Sequence, residues 1–246
     1  MPIIYLSPST QENNFFVSGG TEEQYMNLLA DAMVPYLDAS GIQYVRNTPE
    51  MTAVSSIAAS NAGNYDLHFA LHSNAAPDGR YGTVRGSIVY YYPGSPQGQR
   101  AAQIIADGLK AIYPDPNLVR SEGTTAIGEV RRVRAPAVFL ELAFHDNTED
   151  AAWIKGNIPV IARNLVLSLT EYFDIPFFET QMNSSGVVDV SYGVLNIRSR
   201  PSRSAPIIAR APDGAPLSIR NRFNGWYLVE YNGIVGYAAE DFIDMN

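Results

Sequence analysis

The sequence predicts an α/β domain, a sheet flanked by helices, followed by a small all-β barrel. Three observations carry this. Residues 1–176 alternate short apolar runs with helical patterns, the signature of a layered α/β fold. Residues 177–188, "FFETQMNSSGVV", contain Ser and Gly and lack a helical period, so they read as a linker. Residues 189–246 break into short strands separated by turns, and the Asn-Gly of "YNGIVGY" is a strong hairpin signal.

The elements follow in order. A first strand covers 2–6. The helix after it opens at Thr21, an N-cap with Gln24 at capping-box spacing. Met26, Leu29, Met33 and Leu37 then recur on one face, and Gly41 ends the helix. Strand 42–46, helix 51–62 and strand 66–72 come next. "GSIVYYY" is a fourth strand, 97–113 an amphipathic helix and "PAVFLEL" a further buried strand. The last helix of the domain spans 158–172, with Ile161, Leu165 and Leu169 on one face.

Composition narrows the function. The 246 residues suffice for a medium domain plus a small one. There is no cysteine, which excludes disulfides, Cys-ligated zinc and thiol nucleophiles, and suits work outside the cell. The net charge is −8, with 11 basic against 19 acidic residues over 1–188 and 6 against 6 thereafter. Nucleic-acid binders show a basic face, so no nucleic-acid partner is expected. No run approaches the ~18 apolar residues of a membrane span, so no membrane insertion is expected. "MPIIYLSPS" enters a strand without a basic or long apolar leader, so no signal peptide is expected.

The stretch "DLHFALHSNAAP" places two of the three histidines, His68 and His72, in a buried strand. Four residues apart, they share a face but lie about 13 Å from one another along the strand. One zinc cannot take both. His72 stands at the carboxyl end, where α/β sheets build sites, whereas His68 reads as a hydrogen-bonded core histidine. Glu141 ends the apolar strand "AVFLE", and an acid there is costly to bury unless paired or functional. It reads either as a partner of Arg131, Arg132 or Arg134, or as a general base beside a metal.

"LNIRSRPS", "NGWYLVEYNGIVGYA" and "DFI" resemble a bacterial SH3 domain of the kind appended to cell-wall enzymes. Residues 1–176 resemble the zinc-dependent N-acetylmuramoyl-L-alanine amidases, the type 3 amidases. An acid opens the first helix in "EEQYMNL", a His-x-Asn ends a central strand in "LHSN", and a Glu precedes Phe-x-x-Asn in "LELAFHDN". One landmark departs: the family's "DPGHGG"-like turn, which brings the first zinc-binding histidine, here reads "LSPSTQENN".

The resemblance implies zinc as cofactor, peptidoglycan as partner and an extracellular or cell-wall location, as an autolysin or an endolysin. It implies Glu23, favoured over Glu22 by register, and His72 as zinc ligands, and Glu141 as the base. The third ligand is expected to be His145, four residues past Glu141, or its rival Gln11. Asn74 and Asn147 are candidates to bind substrate, or simply turn residues. The implied reaction is hydrolysis of the amide between N-acetylmuramic acid and L-alanine. The alternatives are a degenerate amidase that only binds peptidoglycan, a zinc peptidase cutting the stem peptide, and an adapter docking peptides through the SH3 module.

Overall fold

A computed structural model describes residues 1–245. The chain divides into two compact units, one of Ile3–Val34 with Tyr44–Tyr172, the other of Met1–Pro2, Pro35–Gln43 and the chain from Phe173 on.

The first unit is built on a six-stranded sheet. Strands β1 (Ile3–Pro8), β2 (Gln43–Arg46), β3 (Leu67–Asn74), β4 (Ser87–Tyr91), β5 (Val119–Gly123) and β6 (Ala137–Phe144) lie in the order β2-β1-β3-β6-β4-β5. β1, β3 and β6 are mutually parallel and β4 is antiparallel to β6. The three parallel strands are buried over most of their length, as strands covered on both faces must be.

Helices α1 (Glu22–Ser40), α2 (Ala53–Ala62), α3 (Pro96–Lys110), the single turn α4 (Gly128–Arg131) and α5 (Thr148–Phe173) complete the layers. Thr21 caps α1 by accepting the Gln24 N–H, and Met26, Leu29, Met33 and Leu37 are fully buried, as their spacing requires. α5 begins ten residues before the expected 158. Asn147 Oδ1 accepts the N–H groups of Glu149 and Asp150 and so starts the helix early. The helix kinks at Asn157, φ −126°, ahead of Pro159, which lacks the N–H an unbroken helix needs. β5 and α4 were not anticipated, because "VRSEG" and "GEVR" are too short and polar to show a period.

The second unit is an antiparallel sheet of β7 (Ser184–Val188), β8 (Val194–Arg198), β9 (Ile207–Pro212), β10 (Pro216–Phe223), β11 (Trp226–Tyr231), β12 (Ile234–Ala239) and β13 (Ile243–Met245), in the order β13-β7-β10-β11-β12-β8-β9. Asn232 and Gly233 both adopt positive φ and join β11 to β12, the geometry that favours Asn-Gly in tight hairpins. The expected linker is corrected at its end. Residues 184–188 form β7, paired with both β10 and β13, because Val188 joins a core with Leu195, Ile197, Leu217 and Val229.

Candidate active site

Because β1, β3 and β6 run the same way, their carboxyl ends meet along one sheet edge, where sites form in open α/β sheets. Pro8 pairs with Leu71, and His72 pairs with Glu141. Three segments far apart in sequence therefore deliver Ser7, His72 and Glu141 to one place. Phe139, two residues before Glu141, stacks on the His72 ring with centroids 4.1 Å apart and fixes its plane.

His72 Nδ1 lies 2.7 Å from Glu22 Oε1 and 3.2 Å from the Gln11 amide nitrogen. Asn14 Nδ2 donates to Glu22 Oε2 and to Gln11 Oε1, bonds that set the orientation of both amides. The loop carrying Gln11 and Asn14 doubles back through Gly19 and Gly20, both at positive φ. Lys155 Nζ pins it by donating to the Ser18 and Gly19 carbonyls.

The other nitrogen of His72 faces a second acid, which no local pattern marks. His72 Nε2 lies 3.4 Å from Glu129 Oε2. Glu129 Oε1 accepts from Ser7 Oγ at 2.7 Å and lies 3.2 Å from His68 Nε2. His68 Nδ1 in turn meets Ser60 Oγ at 2.9 Å. Burial opposes ionisation of Glu129, yet the bonds from His68 and His72 outweigh it and hold its pKa down at about 2. Burial likewise works against charge on His72, but Glu129 and Glu22 push it up to about 10. Glu22 is also held below its usual range: burial opposes this, and the bonds from His72 and Asn14 prevail.

Glu141 is in the opposite condition. The residue is half-buried, but its Oε2 is cut off from solvent and has no hydrogen-bond partner. Burial raises its pKa to about 8, the charge on His72 working against the rise and that on Glu22 adding to it. Of the three arginines expected as its possible partners, none makes a hydrogen bond to this buried oxygen.

Other expected residues are placed differently. Glu22, not Glu23, meets His72. Glu22 is 1% exposed, whereas the Glu23 side chain is partly exposed one helical step away and makes no bond to His72. The 100° turn between successive helical residues decides between them. His145 does not join the cluster. Its Nδ1 lies 3.0 Å from both the hydroxyl and carbonyl oxygens of Ser73, and its ring packs on Phe16. Both contacts of Nδ1 are to Ser73, so that nitrogen is committed there and not to His72 or Glu22. Asn147 spends its amide on capping α5 and on the Gly82 carbonyl, and Asn74 Oδ1 accepts the Ala75 N–H. Both are accounted for as cap and turn residues.

A cation here would rest on Glu22 Oε1, His72 Nδ1 and the Gln11 amide. Among the described residues, no group of three or more His, Cys, Asp or Glu side chains is arranged to hold a metal. Gln11 would have to turn its oxygen inward. Two observations nevertheless fit a divalent ion: a carboxylate behind His72 on the side away from the donors, and the orphaned Glu141 Oε2 beside them. Next to the cluster opens a cleft of about 430 Å³ lined by Thr10, Gln11, Asn47, His72, Glu129 and Phe139, among others.

The fold is shared with amidases of known structure. An N-acetylmuramoyl-L-alanine amidase from Clostridium difficile 630 shares it at TM-score 0.62 and 17% identity, over 70% of this chain and 97% of that one. The catalytic domain of the CD27L endolysin targeting Clostridia difficile shares it at TM-score 0.58 and 22% identity, over 70% and 98%. The sequence profile of N-acetylmuramoyl-L-alanine amidases matches residues 10–170, more than half the chain, and that of bacterial SH3 domains matches 193–244. The chain belongs to the N-acetylmuramoyl-L-alanine amidase family. It is also 36% identical over 61 residues to the putative N-acetylmuramoyl-L-alanine amidase YrvJ of Bacillus subtilis strain 168, and that match spans 25% of this chain and 11% of the relative. Among the described residues, no helix is long and apolar enough to cross a membrane.

Proposed function

We propose that the protein hydrolyses the amide between N-acetylmuramic acid and L-alanine in peptidoglycan, at the cell wall or outside the cell, with its SH3 domain holding it on the wall. Family membership supports the substrate class. The observation that carries the chemistry is Glu141 Oε2, buried and unbonded beside Glu22 and His72.

Glu22 and His72 would hold a divalent cation, zinc in this proposal, with Gln11 as the third donor. Such an ion would supply polarisation of the scissile carbonyl and a lowered pKa for water. Glu141 takes a proton from the attacking water at Oε2 and returns it to the leaving nitrogen as the amide C–N bond breaks. Its desolvated setting keeps its pKa near neutrality, where a group both accepts and releases protons effectively. Glu129 and Phe139 keep the His72 ring in place throughout.

The test is digestion of purified peptidoglycan by zinc-supplied protein, followed by analysis of newly exposed amino termini. L-Alanine termini are expected, and Glu141→Ala should lose them while staying folded and keeping its zinc. Cuts inside the stem peptide would make the protein a peptidase. Adhesion to sacculi without any new termini would make it a binder, the reading that the short donor set favours.

A further inference from the structure

Glu129 is the only acid in "TTAIGEVRRVRAP", and it sits in a helix of a single turn. Three arginines, Arg131, Arg132 and Arg134, follow it within five residues, yet Glu129 turns inward and is 4% exposed. A carboxylate buried this way costs several kcal/mol unless its lone pairs are filled. They are filled by three residues from two strands: Ser7 of β1, and His68 and His72 of β3. The two histidines lie on one face four residues apart, and a single carboxylate lies between them.

The donors settle which ring atoms carry hydrogen. Glu129 accepts only, so His68 Nε2 donates to it, and the longer His72 Nε2 contact, an ion pair at 3.4 Å, likewise needs hydrogen on Nε2. Ser60 Oγ then donates to His68 Nδ1. Ser60, His68 and Ser7 fix the carboxylate, and the carboxylate in turn fixes His72. Glu22 likewise only accepts, so without an ion the ring carries hydrogen on Nδ1 as well; a cation would take the place of that Nδ1 proton while Nε2–H stays with Glu129.

We propose that Glu129 is the positioning residue of the candidate metal site. Anchored by His68 and Ser7, it holds the His72 Nε2–H and aims Nδ1 at the cation. The aiming of Nδ1 rests on the reading that Glu22 and His72 hold the ion; the Nε2–H bond does not.

Two readouts on the full chain test it. Zinc affinity is measured by chelator competition on folded protein, and the exchange-protected His72 Nε2–H proton is followed by NMR in zinc-free protein. Loss of an outer carboxylate weakens metal binding by about 10–100-fold, so Glu129→Ala should do so and should also lose the ring-proton signal. Glu129→Gln offers one acceptor oxygen where the carboxylate uses two, so its NH2 faces either the His72 Nε2–H or the Ser7 and His68 donors, and it should weaken zinc binding as Ala does. Glu129→Asp, which keeps the charge but withdraws it from Nε2, replaces the Ala variant if that fails to fold, with the same expected loss. Unchanged zinc affinity in Glu129→Ala overturns the proposal, and so does a Gln variant that binds zinc as the parent does. If the parent takes up no zinc, the metal reading fails by itself and the ring proton still decides. Its presence in the parent, with loss in Ala, upholds the contact; its absence from the parent overturns it.

Discussion

Replacing Glu141 by Gln isolates the most unusual charge environment in the molecule. Its carboxyl is raised from 4.5 to about 8 by burial. An acid with a raised folded-state pKa stabilises the protein while protonated, fully below 4.5, and that contribution is lost as pH rises toward 8. A tenfold difference in proton affinity between folded and unfolded chains is worth about 1.4 kcal/mol, so between about pH 5 and about pH 6.5 zinc-free protein should lose about 2 kcal/mol through this group. The window lies below 6.5 because the stabilisation from His72, whose pKa is raised from 6.5 to about 10, is complete there and fades only at higher pH. Glu129, held at about 2, contributes above 4.5 and fails only in acid. Urea unfolding of chelator-treated parent and Glu141→Gln at both pH values gives the comparison. The variant should gain about 2 kcal/mol on the parent between the two conditions, any constant cost of the amide cancelling. A gain below about 0.5 kcal/mol would show that Glu141 is not held as a desolvated acid, and its role as a base would fall with it.

Three further outcomes are expected. Glu22→Gln should weaken zinc binding by at least about tenfold in chelator competition, while Glu23→Gln leaves it unchanged, since only Glu22 faces His72. His145→Ala should keep the zinc affinity of the parent but lose about 2 kcal/mol in urea unfolding, because its buried ring serves Ser73 and Phe16. Asp150 is fully buried and accepts from Tyr113 Oη, Arg85 Nε and the Gly86 and Phe144 amides. Asp150→Ala should cost about 3–5 kcal/mol in the same assay, and Tyr113→Phe, which removes one of those donors, about 1.5–3 kcal/mol.

Local pattern was enough to place α1, β3 and β6, because hydrophobic period and capping are written in neighbouring residues. The Thr21 cap, the buried face of α1 and the Asn232–Gly233 hairpin are all of this kind. So is the placing of His72 on β3 and Glu141 on β6, although β6 does not end at Glu141 but runs on to Phe144. The sequence also carries the family signature over residues 10–170.

Tertiary structure alone decided which side chains meet. The choice of Glu22 over Glu23 turns on helix phase at its first turn, where sequence spacing allows either residue. His145 lies close to Glu141 in sequence, but it falls past the end of β6, and its ring is taken up by Ser73 and Phe16. Glu129 was invisible because nothing within its own short segment marks it. Its partners His68, His72 and Ser7 lie on strands far from it along the chain, and only the sheet order brings them together. Periodicity is a property of neighbours along the chain, whereas a site is a property of neighbours in space.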